Sequence, residues 1–309
     1  MKILLTGVNG QLGNTLKTKF SKFYKKVVLY CPDKKTLDLK NLRQCKNYVE
    51  SIKPDFLINC AAFTNVEEAE DRCSDAITIN AEAPGTFAQI LNKNGGHLIH
   101  ISTDYVFDGK KKLPYKTYDK KNPLCVYGKS KSEGENLIKK NFNNISQYTI
   151  IRASWLISPY GKNFVKKIIN LLCASNDDKP LKIISDQFGC TTSVYTLSEV
   201  ICRVINFRNE EHFVPNILHW SDRGMVNWYE IAVNIKELLN ELGYKKNLKE
   251  IKNISSEEYL CKAKRPKFSL LDIKNTEKLF NIKSNLWKDE LKIIVRQIYD
   301  NINSDNYCK

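Results

Sequence analysis

The chain has 309 residues, 42% hydrophobic and 27% charged, enough apolar material for one large domain or two modest ones around a sizeable core. No apolar run approaches the roughly 18 to 20 residues needed to cross a bilayer, and MKILLTGVNG reaches Gly7 after a short apolar stretch, so no membrane span or signal peptide is expected. The net charge of +15 comes from lysines spread along the whole length, with small clusters only at Lys110 to Lys112 and at Lys245 and Lys246, so a solvated basic surface is expected and no nucleic-acid partner. Ten cysteines are scattered singly, with no C-x-x-C, which reads as reduced thiols in a cytoplasm; no metal is expected.

In chain order, KILLT (2 to 6), KVVLY (26 to 30), DFLINC (55 to 60) and HLIHIS (97 to 102) are short apolar runs rich in β-branched residues, suited to strands buried on both faces. Between them QLGNTLKTKF, LKNLRQCKNYVESI and the long stretch from Val66 to Asn94 carry helical spacing, and TIIRASW (149 to 155) is a further strand. Strict rotation of strand and helix predicts an α/β fold, a doubly wound parallel sheet covered by helices. From about residue 156 the pattern is less regular. Helices are expected near 161 to 173, 193 to 206, 228 to 240 and 288 to 302, with strands near 181 to 184 and 216 to 220, as a smaller second region.

Directly after the first strand, TGVNGQLG places Gly7, Gly10 and Gly13 in a G-x-x-G-x-x-G frame that opens a helix. Glycines there let the backbone turn sharply and approach a pyrophosphate, whose charge meets unpaired amides at the helix N-terminus. The end of the second strand discriminates NAD from NADP. Here it reads LYCPDKK, with Tyr30 and Cys31 at the expected acidic position, Asp33 late, and Lys34 and Lys35 following, which leans toward NADPH and leaves NADH open.

Chance alone supplies roughly two Tyr-x-x-x-Lys pairs in a chain this rich in both residues, and two occur. Tyr30 and Lys34 flank Pro32 and cannot share a helical face. Tyr127 and Lys131 lie in YGKSKSEGENLIKK, whose residues mostly favour helix, so they project on one side a turn apart. An ammonium there would stabilise phenolate and lower the phenol's pKa from about 10. Upstream, HISTDYVFDG puts Ser102 and Thr103 at the carboxyl end of the fourth strand, where open α/β sheets bind ligands and a hydroxyl could polarise a carbonyl.

Taken together, TGVNGQLG, LDL (37 to 39), NCAAFTNVEEAE (59 to 70), STDYVFDG (102 to 109), YGKSKSEGE (127 to 135), RASW (152 to 155), KNF (162 to 164), SDQFG (185 to 189), NWYEIA (227 to 232) and KRPKFSLLD (264 to 272) resemble the dTDP-4-dehydrorhamnose reductase family of extended short-chain dehydrogenases/reductases. The resemblance implies a Rossmann domain over 1–155 plus roughly 187–220, an interleaved α/β substrate-binding region over 156–186 and 221–309, and hydride delivery from NAD(P)H to C4 of a dTDP- or UDP-linked 4-keto-6-deoxysugar, serving deoxysugar synthesis for surface polysaccharides. It implies that Gly10, Gln11 and Leu12 hold the pyrophosphate, that Asp38 and Leu39 flank adenine, and that Ala62, Phe63 and Thr64 line the cofactor path. Tyr127 would give the proton, Thr103 would bond the C4 oxygen, and Lys131 would hold nicotinamide ribose. Val66, Asp104, Tyr105, Trp155, Asn163 and Gln187 would face the sugar nucleotide, and Arg265 its diphosphate. A monomer or homodimer is expected.

Two departures keep alternatives open. Cys60 and Cys190 stand at small-residue positions; packing is the expected role, but a related bifunctional group that makes GDP-fucose epimerises C3 and C5 with a cysteine acid/base, at a position aligned here with Tyr105. The regulatory subunit of methionine adenosyltransferase is similar across the same motifs and is a binding partner, not a reductase.

Overall fold

The computed structural model describes residues 1–309 except 25, 175–178, 245–246 and 308–309, so the Lys245 and Lys246 cluster and Cys308 lie outside the described residues. The first half of the chain runs β1 (Lys2–Thr6), α1 (Gln11–Phe23), β2 (Val28–Tyr30), α2 (Leu42–Ile52), β3 (Phe56–Asn59), α3 (Val66–Asp71), α4 (Cys73–Ile77), a π-helical turn (Thr78–Glu82), α5 (Ala83–Asn94), β4 (His97–Thr103), α6 (Val126–Asn141) and β5 (Tyr148–Ala153). The second half runs β6 (Leu156–Ile157), α7 (Phe164–Cys173), β7 (Leu181–Ile184), β8 (Phe188–Gly189), β9 (Thr192–Ser193), α8 (Val194–Asn209), β10 (Ile217–Trp220), β11 (Val226–Asn227), α9 (Trp228–Glu241), β12 (Ile251–Ile254), α10 (Lys274–Phe280) and α11 (Trp287–Tyr307).

Six strands form one parallel sheet in the order β10-β5-β4-β3-β1-β2. Every residue of β3 and β5 is buried, as strands covered on both faces by helices must be. One face packs on α1 and α8 through Leu12, Leu16, Leu197 and Ile201; the other packs on α2, α5 and α6 through Val49, Phe87, Leu91 and Ile138. The chain steps from β1 to β2 on one side and returns to β3 on the other. The reversal leaves a crevice at the strands' carboxyl ends.

A second buried cluster joins α7, α9 and α11 to β7 through Ile168, Ile235 and Ile294, and β7 pairs in parallel with β12. The strand expected near 216 to 220 is β10, the edge of the main sheet.

The single helix expected from Val66 to Asn94 is broken. Arg72 leaves helical geometry (φ −119°, ψ 49°), and the π-helical turn follows α4. Pro84 in the first turn of α5 lacks an N–H, and Asn80 within the π turn bonds sideways: its Oδ1 accepts from Phe63 N at 2.8 Å and its Nδ2 donates to Phe63 O and Ser130 Oγ. Helix α2 starts at Leu42, later than read from the spacing, because Asn41 caps it by accepting from Gln44 N at 3.0 Å. β5 stops at Ala153, and Trp155 turns away with φ +44°.

Candidate active site

The glycine loop is shaped by contact as much as by conformation. Gly7 has φ +68°, and a Cβ on it would lie 2.7 Å from Ala61 N; a Cβ on Gly13 would lie 2.1 Å from Gly7 O. Gly10 is the N-cap of α1 and supplies no side-chain bond, and the first turn holds no acid, so the leading amides face the crevice unneutralised. A loop this close to the β3 end leaves room for a diphosphate and no room for side chains, which fits a dinucleotide.

That loop floors a cavity of about 840 Å³. At its far end Lys34, Asp38 and Leu39 form the wall. Asp33 also reaches the wall, but its carboxylate accepts from both Thr36 N and Thr36 Oγ1 at 2.8 Å, and those bonds hold it below the usual carboxylate range.

Thr103, Tyr127 and Lys131 line the same cavity, from the last residue of β4 and one face of α6. The close approach of α6 depends on its glycines: a Cβ on Gly128 would lie 2.3 Å from Tyr105 O, and one on Gly134 would lie 2.2 Å from Asn80 O. Ser102 alternates to the other face, where its hydroxyl donates to Glu135 Oε1 at 2.6 Å, leaving Thr103 as the strand-end hydroxyl beside Tyr127.

The electrostatics differ from the expectation of an ammonium that depresses the phenol. Burial pushes Tyr127 upward, Asp104 and Cys125 add to this, and the hydrogen bond with Thr103 opposes it. Lys131 Nζ points instead to Ile101 O at 2.6 Å and His100 Nε2 at 3.2 Å. Burial lowers Lys131 to about 8, against the pull of Glu135 and Cys60. Burial also raises Asp104 to about 7, against bonds from Ser269 and Thr103.

These features match a known group of proteins. A family model described as RmlD substrate binding domain matches residues 1–300. The chain belongs to this family. A dTDP-4-dehydrorhamnose reductase from Aggregatibacter actinomycetemcomitans is 34% identical over 294 residues, 95% of this chain and 98% of the relative. A crystal structure of a dTDP-4-dehydrorhamnose reductase from Clostridium acetobutylicum, 35% identical, superposes with a TM-score of 0.85 over 97% of this chain and 100% of that one. Another from Bacillus anthracis, in complex with NADP, is 32% identical, with a TM-score of 0.84 over 95% and 98% of the two chains.

Most positions matched to this dTDP-4-dehydrorhamnose reductase family meet in the one cavity: Gly7, Gly10, Gln11, Leu12 and Gly13; Lys34, Asp38 and Leu39; Ala62, Thr64 and Val66; Asp104, Tyr105, Trp155 and Asn163. Three do not line it. Phe63 lies under Arg72, with the guanidinium 5.2 Å from the ring centre. Gln187 stands behind the wall and accepts from Trp228 Nε1 at 3.2 Å. Arg265 is engaged with Glu67 at 2.8 Å, while its Nε is buried without a hydrogen-bond partner.

Trp228, within NWYEIA, is a cavity residue that the motifs do not single out. It lines the cavity and stacks on Trp155 with ring centres 3.7 Å apart and planes 16° apart. Asn163 uses its side chain to cap α7, accepting from Lys166 N at 3.0 Å and donating to Ser158 O at 2.8 Å. His100 and Asn59, beneath Lys131, open the HISTDYVFDG and NCAAFTNVEEAE runs, but the motifs give neither of them a role.

Proposed function

We propose that this protein reduces the C4 keto group of a nucleotide-linked 4-keto-6-deoxysugar, dTDP-linked as its relatives' names indicate or UDP-linked, with NADPH preferred and NADH usable. The observation that carries this reading is the convergence of Thr103, Tyr127 and Lys131 beside the glycine-cradled N-terminus of α1 in one cavity. When bound, the reduced dinucleotide supplies the hydride.

The amides at Gln11 and Leu12 would hold its diphosphate, the Gly10 N–H being already given to Gly7 O at 2.9 Å, and Lys34 would meet a ribose 2′-phosphate, since Asp33 is engaged with Thr36. Burial favours the neutral phenol of Tyr127, the form that donates a proton to the C4 oxygen, with Thr103 bonding the same oxygen. Lys131 holds the nicotinamide ribose. Trp155 and Trp228 bound the sugar-nucleotide side; Gln187 acts by orienting Trp228, and the buried Nε of Arg265 keeps it a candidate for the substrate diphosphate. Epimerisation would need a further acid/base, and burial drives the cavity thiol of Cys60 far above its ordinary value, which favours reduction alone.

We take residues 1–155 with about 187–220 as the dinucleotide-binding domain and 156–186 with 221–309 as the substrate region, in a cytoplasmic enzyme; the two buried clusters follow this division except at Phe280, which packs with the first, and Cys190, which packs with the second. The test is to incubate the protein with NADPH and a panel of dTDP- and UDP-4-ketosugars while following reduced-nicotinamide absorbance. Stoichiometric oxidation with a C4 alcohol as product supports the reading. Dinucleotide binding with no turnover of any ketosugar would sink it and favour a regulatory-subunit role.

A further inference from the structure

His100 is fully buried on β4 and belongs to a polar row that crosses three neighbouring strands under the cavity floor. Thr6 of β1 pairs in register with Asn59 of β3, and Asn59 with His100 of β4. The Ala61 N–H donates to Thr6 Oγ1 at 3.3 Å, Thr6 Oγ1 donates to Asn59 Oδ1 at 2.6 Å, Asn59 Nδ2 lies 3.1 Å from His100 Nδ1, and His100 Nε2 lies 3.2 Å from Lys131 Nζ.

Such a row has a direction. The Ala61 amide only donates, so the Thr6 proton goes on to Asn59. The 2.6 Å separation is an O–H···O length and short for N–H···O, so the Asn59 carbonyl oxygen faces Thr6 and its amino group faces His100. His100 Nδ1 therefore accepts, and a neutral imidazole that accepts at Nδ1 carries its proton on Nε2. That proton points at Lys131 Nζ, which already donates to Ile101 O at 2.6 Å. An ammonium offers only donors, whereas an amine has a lone pair to receive the imidazole proton.

We propose that His100 is a positioning residue for Lys131: the directed row from Ala61 through Thr6 and Asn59 holds the imidazole as the Nε2–H tautomer, and this N–H favours the neutral amine at Lys131. The consequence for reduction rests on the reading of Lys131 given above; the ionisation itself does not. The groups around Lys131 are Tyr127 and Glu135 from α6, His100 from β4 and Cys60 from the end of β3. Glu135 and Cys60 favour the ammonium, but the Glu135 carboxylate already accepts from Arg152 at 2.9 and 2.7 Å and from Ser102 at 2.6 Å. Burial holds His100 well below its ordinary value, so the ring stays neutral. Lys131 then changes charge at mildly alkaline pH, and the imidazole sets whether an ammonium is present when the phenol of Tyr127 loses its proton.

The test is spectroscopic and needs no ketosugar, so its failure leaves the reductase reading standing, and a failed turnover assay leaves this result readable. In protein carrying ring-¹⁵N histidine and ε-¹³C lysine, the His100 signals are assigned by their loss in His100→Asn and the Lys131 signal by its loss in Lys131→Met. Expected are an Nε2–H tautomer and a Lys131 titration near pH 8, below the other lysines. In Asn59→Asp the carboxylate accepts from both Thr6 and His100, the proton moves to Nδ1, and Lys131 keeps its charge to a pH higher by about one unit or more. An Nδ1–H tautomer in the wild type, Lys131 titrating with the other lysines, or no shift in a folded Asn59→Asp would overturn the proposal. If that variant does not fold, the wild-type tautomer decides alone.

Discussion

A phenol that burial keeps neutral donates its proton only when an acceptor forms beside it, and Tyr127 is in that condition, with Thr103 as its hydrogen-bond partner. Tyr127→Phe is therefore expected to lower the single-turnover rate of reduction by about 10²- to 10⁴-fold, while a fluorescence titration gives nearly unchanged NADPH affinity. Lys131 adds a pH dependence with a definite sign. Its folded pKa lies below the ordinary lysine value, at about 8, so the ammonium is present below that pH and is lost above it. Reduction, which on the proposed reading needs that charged group to hold the nicotinamide ribose, is expected to fall as pH rises through about 8 in a kcat/KM profile. The tyrosine, the lysine and the threonine were legible in the sequence because each belongs to a short local motif. The direction of the phenol's shift was not, because it follows from burial and from a carbonyl and an imidazole on β4 that turn the lysine aside.

Helix α6 reaches the cavity only because it can lie against the π-helical turn. A methyl group on Gly134 would meet Asn80 O at 2.2 Å, backbone that has no room to retreat since Asn80 also clamps Phe63. Gly134→Ala is expected to destabilise the protein by about 1 to 3 kcal/mol in urea unfolding and to reduce turnover more than NADPH affinity, because α6 and not the glycine loop is displaced. The alternation of strands and helices was readable from apolar periodicity, and so was the helix opened by Gly10. The break between Val66 and Asn94 was not. Only Pro84 signals it in a stretch that otherwise keeps helical spacing, and the π-helical turn itself is held by the Asn80 side-chain bonds to Phe63 and Ser130. The same holds for Gln187 and Arg265, whose motifs are local but whose partners, Trp228 and Glu67, are set by tertiary packing.

Across the whole molecule, Arg152 ties the sheet to its coverings. It bonds Glu135 of α6 twice, lies 3.3 Å from His219 of β10, and donates to Thr117 O of the loop between β4 and α6, with both ion-pair partners almost completely buried. Arg152→Met leaves Glu135 as a buried charge short of its main partner and is expected to cost about 3 to 5 kcal/mol of unfolding free energy. Burial works against the Glu135 charge, but the bonds from Arg152 with the nearby Lys121 hold its pKa at about 2 in the folded state. Its stabilisation is thus complete above the ordinary value of 4.5 and is lost as pH falls toward about 2, a dependence that acid titration followed by circular dichroism should show in the wild type and not in the variant.

The stacked indoles of Trp155 and Trp228 give this cleft a built-in optical probe. Trp220 and Trp287, the other two tryptophans, are buried and do not line the cavity. Reduced nicotinamide absorbs where indoles emit, so added NADPH should quench the protein's ultraviolet emission by energy transfer, and Trp228→Phe should remove much of that quenching. Occupancy of the cleft can then be followed in real time without any label.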